Sequence, residues 1–460
     1  MSSPAAAYYA LFCSVCILVL KQVNELVTEP YMDEPFHVPQ AQAYCEGKYE
    51  YWDPKITTPP GLYVASLILK RIFMFKCTLP MLRLTTTLSL LALPIILTRL
   101  LCFHQRQRPP RSFLTPTTDA IILSAFPLVW FFGFLYYTEV PSLLFVVCTV
   151  VAAGQGSHWT AGLLGLISCT FRQNNIIWVP YAYASSQLMY LRFRRVAAGE
   201  QPSARMHDPP ALEAGPADLL KAIWTAPQIL PAILPSFVPY ALVLSLFGAF
   251  VKWNGGIVLG DKSNHIPSLH IPQLYYFIAS ATALGWPALA SANGGALSLM
   301  YDVRARMFGG KGRLLVTMAL SALMAVTVQL FTIHHPFLLS DNRHYTFYVW
   351  KRIFCLHPIM PYLFIPGYIA CGWAWFLRAA QDQTILQTLI LPIFVLPTLL
   401  PTPLLEPRYF LIPYVLLRAQ VVDVPGWGLA VEAAWYTAIN VLTMGVFLYA
   451  ERDGVGRFMW

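Results

Sequence analysis

Residues 31–63 read YMDEPFHVPQAQAYCEGKYEYWDPKITTPPGLY. Here Asp33, Glu34, His37, Asp53 and Lys55 stand among prolines and aromatics, directly after an apolar run. Two readings of the Asp33–Glu34 pair are open. Adjacent acids just past an apolar run can simply be solvated. A proline- and aromatic-rich loop is ordered, however, and can hold a carboxylate partly out of water, where it makes a good general base near neutral pH. His37 and Trp52, in the same loop, are candidates to contact a substrate. A second set of residues is cationic: Arg172, Lys252, Lys262, His265, Arg343, His344, Lys351, Arg352 and Arg408. Each taken alone can snorkel toward headgroups. Taken together with the aromatics of NRHYTFYVWKR they can bind a phosphate and cover a sugar face, since arginine grips phosphate bidentately. Metal ligation is the rival use of Asp33, Glu34, His37 and the His334–His335 pair. Their spacing matches no closed zinc or calcium pattern, so no metal is expected to be required.

One carboxylate, several cations and an apolar access route suit transfer of a sugar from a lipid phosphate to a hydroxyl. A phosphate departs without a protonating acid, whereas glycoside hydrolysis usually needs two carboxylates. A base for the incoming hydroxyl and cations for the departing phosphate suffice.

The elements that must carry these residues are membrane helices. Of the 460 residues, 57% are hydrophobic and 12% charged, against about 25% charged in a soluble domain. The apolar runs are continuous and helix-length, which excludes a transmembrane barrel with its alternating pattern. The chain is expected to be all-α and polytopic. Twelve spans of roughly the length a bilayer demands are expected at 8–27, 80–103, 117–137, 141–156, 158–171, 175–191, 226–251, 270–290, 314–333, 354–378, 384–402 and 428–450. Net charge is +9, but much of the basic charge lies in HQRQRPPR (104–111), RFRR (192–195) and RARMFGGKGR (304–313). That is the positive-inside pattern of cytosolic loops, not a nucleic-acid surface. With those loops in the cytosol, segment 61–75 is an amphipathic helix lying on the membrane surface. Segment 192–225 reads as a cytosolic linker. The chemically rich segments 28–79, 136–142, 171–175, 252–270, 334–352 and 406–409 then share the opposite face. The nine cysteines are mostly in apolar runs. The Cys13-x-x-Cys16 pair lies within a span with no second pair, and reads as inert core.

Glu139, in YYTEVPS, either holds substrate hydroxyls or is only a helix-end carboxylate. Asp261 and Lys262, in a glycine-rich turn, either line a substrate groove or pair with each other.

Five segments, YMDEPFHVPQAQAYCEGKYEYWDPKITTPPGLY, FRQNNIIWV, NGGIVLGDKSNHIPSLHIPQLYYF, SDNRHYTFYVWKRI and EPRYFLIP, together resemble the dolichyl-phosphate-glucose-dependent α-1,2-glucosyltransferases of the endoplasmic reticulum. The resemblance runs from residue 30 to about 413, in order. It implies a multi-pass membrane domain over 1–460 with the GT-C glycosyltransferase fold, about twelve transmembrane helices, lumenal loop helices and a lumenal active site. It implies a dolichyl-phosphate-glucose donor, and as acceptor the diglucosylated dolichyl-diphosphate oligosaccharide used for N-glycosylation, with no required cofactor. The superfamily's base, an acid of the first lumenal loop, maps onto Asp33, with Glu34 second. Inverting displacement is implied. Arg343, His344, Lys351 and Arg408 are expected at the donor phosphate and sugar, and His37, Trp52, Glu139, Arg172, Asp261 and Lys262 at the substrates. Other readings remain open: a related transferase using another dolichyl-phosphate sugar, a transporter or scramblase, and a non-catalytic membrane subunit. The transporter reading predicts inverted repeats and mid-membrane charges, and the subunit reading predicts no dependence on Asp33.

Overall fold

The computed structural model describes residues 4–193, 206–262 and 266–460. His265 and residues 194–205 of the expected linker lie outside the described residues. The described chain is helical throughout, with β-pairing confined to isolated bridges. Among the described residues, six helical stretches are long and apolar enough to cross a membrane: Ala5–Leu26, Leu79–Gln105, Pro216–Asn254, Lys311–Phe331, Met360–Asp382 and Gly426–Tyr449. Glu139–Gly154 and Ile385–Leu399 are shorter apolar helices. This is the architecture of a polytopic membrane protein. The expected span 117–137 is not one helix. Pro127 has no N–H to continue the ladder, and the segment divides into Thr118–Ser124 and Pro127–Phe132.

The chain forms two compact units. The first comprises Met1–Tyr183, Phe237–Ile266 and Tyr436–Arg457. It opens with α1 (Pro4–Leu26), α2 (Glu34–Cys45), α3 (Gly61–Phe73) and α4 (Leu79–Gln105). After the broken segment come α5 (Glu139–Gly154) and α6 (His158–Phe171), which pack on each other, while α5 also packs on α4. Between α1 and α4 the chain builds a small core of its own. Val38, Ala41, Ile56, Leu62 and Tyr63 bury against Leu82, Tyr136 and Phe171, with Phe36, Tyr44 and Trp52 packed around them. Gly61 starts α3 against the backbone of Thr170, where an added Cβ would lie 2.6 Å from the carbonyl oxygen. Gly61, Leu62, Tyr63 and Ser66 of α3 are buried, whereas Val64, Ile68, Ile72 and Phe73 are exposed. A Cys45–Cys77 disulfide, unforeseen from the cysteine count, closes the segment from the end of α2 to the start of α4.

The second unit comprises Ala184–Ser236, Pro267–Trp435 and Phe458–Trp460. The helix Ile365–Ala379 packs against Gln273–Ser291, Gly295–Phe308 and Lys311–Phe331. The buried Arg378 closes one helix end by donating to the carbonyls of Leu289 (2.9 Å), Asn293 (2.7 Å) and Gly295 (2.9 Å). Buried Arg418 and Glu432 form a bidentate pair with both contacts at 2.7 Å. The linker reading fails for 206–225. Residues 209–211 pair with 383–385 through Ala211 N–H to the Gln383 carbonyl (3.0 Å) and Ile385 N–H to the Pro209 carbonyl (3.0 Å). Pro216–Thr225 is a helix. Backbone groups shielded from water are satisfied by pairing, so a polar, proline-rich composition does not by itself make a loop loose.

Candidate active site

The turn into α2 begins at Met32, whose φ of +59° places a side chain in the left-handed region. That conformation costs roughly 1–2 kcal/mol for an L-residue and persists only where neighbours over-determine it. Asp33 and Glu34 follow at the start of α2. Pro35 fits there because the N–H it lacks is one the first helical turn leaves unbonded anyway.

The two acids part company. Glu34 is fully buried. Arg83 of α4 donates to it twice, Nε to Oε1 at 2.8 Å and Nη2 to Oε2 at 2.6 Å. The Tyr136 N–H donates to Oε1 (2.7 Å) and the Tyr31 N–H to Oε2 (3.1 Å). Arg83, also fully buried, donates through Nη1 to the Val27 carbonyl at 2.7 Å. Four donors fill a carboxylate, so Glu34 is committed to the fold. Asp33 is only half-buried, its side chain does not cap α2, and its backbone N–H donates to the Tyr137 hydroxyl at 3.0 Å.

His37 is buried on the next turn of α2, with Nδ1 2.6 Å from the Tyr63 hydroxyl. Trp52 packs edge-on to Tyr63. Its strand of loop is tied to α2 by Gln40, which donates to the Tyr51 carbonyl (2.7 Å) and accepts from the Asp53 N–H (2.9 Å). Glu139, buried at the start of α5, accepts from Arg172 Nη1 at 2.6 Å. Arg172 is extended, with φ −145° and ψ 123°, and ends α6. The following Gln173 donates to the Thr57 carbonyl at 2.7 Å. The Asp261 N–H donates to the Pro54 carbonyl at 2.7 Å. Gly260, at φ +62°, permits that approach, since a Cβ there would sit 2.3 Å from the same carbonyl oxygen. Lys262 does not pair with Asp261 but turns back to the Asn254 carbonyl at the end of the helix Val238–Asn254. Segment 54–57 is thus the common anchor that gathers the Arg172 and Asp261 segments onto the loop of Asp33.

The second unit holds the remaining candidates. Arg343 donates to Asp341 bidentately, Nε to Oδ1 at 2.9 Å and Nη2 to Oδ2 at 2.7 Å, with about a third of its side chain exposed. Burial pushes the Asp341 carboxyl up, but the Arg343 hydrogen bonds outweigh it and hold the carboxyl below the usual aspartate range. His344 Nδ1 meets the Trp460 carbonyl oxygen at 2.8 Å, and Met459 pairs with the backbone of Arg343 and Tyr345. Lys351, in a single π-helical turn Trp350–Phe354, lies 5.3 Å over the Phe347 ring. Arg408 donates to Glu406 and lies 5.9 Å over Tyr409.

Sequence reasoning missed Arg83, Asp341 and Glu406. Arg83 carried a signal, an arginine five residues into an apolar span, where an unpaired charge is expensive. The other two share an acid-x-Arg spacing, Asp341-Asn342-Arg343 and Glu406-Pro407-Arg408. Among the described residues, no group of three or more His, Cys, Asp or Glu side chains gathers as a metal-binding set.

The DIE2/ALG10 family model matches residues 27–419. A Homo sapiens protein named Dol-P-Glc:Glc(2)Man(9)GlcNAc(2)-PP-Dol alpha-1,2-glucosyltransferase is 35% identical, covering 98% of each chain. An Arabidopsis thaliana protein of the same name is 33% identical over 95% of this chain and 96% of its own. A Drosophila melanogaster protein, also so named, is 33% identical over 91% of this chain and 90% of its own. No solved structure matches. With the match spanning the loop of Asp33, the Arg172 turn and both acid-x-Arg segments, the chain belongs to the DIE2/ALG10 family.

Proposed function

We propose that this protein transfers glucose from dolichyl-phosphate-glucose to the diglucosylated dolichyl-diphosphate oligosaccharide, forming an α-1,2 linkage. The observation that carries the reading is near-full-length similarity to human, plant and insect proteins whose names state that reaction. The fold is of the GT-C type, resident in the endoplasmic reticulum membrane with the site lumenal. The Cys45–Cys77 disulfide in segment 28–79 supports that side, because disulfides persist in oxidising compartments.

Asp33 is the general base. The occupation of Glu34 by four donors favours Asp33 over its neighbour. In a single in-line step the acceptor 2-hydroxyl oxygen bonds to C1 of the donor glucose. The C1–O bond breaks, dolichyl phosphate leaves with the electron pair, and the hydroxyl proton passes to Asp33. The β-linked glucose becomes α-linked. Arg343, His344, Lys351 and Arg408 receive the phosphate and sugar of the donor. Arg343 and Arg408 sit on loop carboxylates, which keeps each guanidinium oriented until a phosphate replaces them. His37, Trp52, Glu139, Arg172 and Asp261 shape the substrate-facing loop, and no metal takes part.

Purified protein in detergent, given synthetic donor and acceptor, tests this. Wild type forms the triglucosylated product with or without chelator. Asp33→Asn binds donor but loses roughly 10²–10⁴-fold in rate, the range of a missing general base. A folded wild type that transfers no glucose refutes the reading, and full activity of Asp33→Asn removes the base assignment.

A further inference from the structure

The Glu34 carboxylate accepts only from backbone N–H groups and Arg83, and these donors leave no lone pair for an acceptor hydroxyl. Yet Glu34 is bonded directly to the peptide of Asp33. Its four donors come from three places: Arg83 on α4, Tyr136 ahead of α5, and Tyr31 across the strained turn. The Arg83 guanidinium also reaches the Val27 carbonyl and the Asn24 side chain (3.3 Å), which fixes the end of α1. From the other side, the buried Tyr137 hydroxyl accepts the Asp33 N–H at 3.0 Å. Tyr136 and Tyr137 are consecutive, so one segment grips both acids. The left-handed Met32 lies inside this frame, and the frame is what makes its strain tolerable.

We propose that Glu34, Arg83 and Tyr137 are positioning residues: the buried Glu34–Arg83 pair and the Tyr137 hydroxyl together fix the backbone of Asp33 and so aim its carboxylate. The inference rests on the reading of Asp33 as base. It assigns the second acid of the pair a mechanical role and brings in an arginine from a membrane helix. Proton transfer needs a donor and acceptor at hydrogen-bond distance, and a shift of about 1 Å can cost about a hundredfold in rate.

The test uses the full-length protein in detergent with dolichyl-phosphate-glucose and the diglucosylated acceptor, with rates expressed per donor-binding molecule. Glu34→Asp and Arg83→Lys keep both charges but move the contact. Their kcat falls about 10–100-fold, while KM for both substrates stays within about threefold of wild type. Tyr137→Phe removes one oxygen, and its kcat falls about three- to tenfold, the worth of one hydrogen bond. Arg418→Lys perturbs a buried pair of the same kind in the second unit; it lowers the unfolding temperature and leaves kcat unchanged. Wild-type kcat in Glu34→Asp and Tyr137→Phe, with only the unfolding temperature lowered, overturns the proposal. If the charged-pair variants do not accumulate, Tyr137→Phe decides by itself. Asp33→Asn in the same assay separates the two readings. A fully active Asp33→Asn means the base assignment has failed. An inactive Asp33→Asn beside fully active positioning variants means only this inference has failed.

Discussion

Arg83–Glu34 in the first unit and Arg343–Asp341 in the second are the same chemical object, a guanidinium donating twice to a carboxylate, yet their settings are opposite. Neither side chain of the first pair is exposed, and the carboxylate has two further backbone donors. In the second, about a third of the arginine and a fifth of the aspartate meet solvent, and the partners are two residues apart. Removing one partner of a buried pair strands a charge in a medium that cannot solvate it, at about 3–5 kcal/mol. A solvent-screened pair is worth about 0–1 kcal/mol. The first arrangement therefore builds the protein, while the second can be opened at little expense to stability. Bidentate geometry by itself does not say how much a pair stabilises the fold; burial does.

The largest effect should come from Arg83→Gln, which leaves Glu34 buried and uncompensated. Unfolding in detergent should show a loss of about 3–5 kcal/mol, and a loss under about 1 kcal/mol would place this pair in the same class as Arg343–Asp341. Next, Cys45→Ser opens a closure of 32 residues around α3. It should lower stability by about 2–4 kcal/mol, while Cys13→Ser, from a cysteine outside any disulfide, should change it by less than about 1 kcal/mol. Smaller in stability but direct in function, Arg343→Ala should shift unfolding by about 0–1 kcal/mol. It should raise donor KM about tenfold, roughly one charge-assisted hydrogen bond. An unchanged donor KM would mean that Arg343 serves only its own loop.

The smallest expected effect concerns pH. Asp341 titrates below its ordinary value of about 3.9. A depressed carboxylate contributes stability that is present above the unfolded value and lost as pH falls through the folded one. Between pH 5 and 8 the Arg343–Asp341 contact should not titrate. An acidic limb in the rate over that window should therefore persist in Asp341→Asn. Its disappearance in that variant would show that the pair titrates there after all.

Much of the candidate site could be read in the residues. The loop of Asp33, the Arg172 turn, the glycine-rich turn at Asp261 and the two arginine segments were each marked by polar residues in an apolar chain, where they are expensive. What could not be read was who holds whom. Glu34 and Arg83 stand 49 positions apart, and Glu139 and Arg172 33. Cys45 and Cys77 are ordinary in spacing, and residues 209–211 look like linker until they meet 383–385. The segment 117–137 is broken into two helices for a local reason, a proline whose missing N–H composition averages hide.

The sequence alone determined the polytopic, helical chain and the resemblance to a family, because hydropathy and motif order are properties of residues in line. Tertiary structure alone decided that Glu34 is spent on the fold. Burial and hydrogen-bond saturation depend on what α4 and the Tyr136–Tyr137 segment bring to the start of α2, and distance along the chain does not encode that.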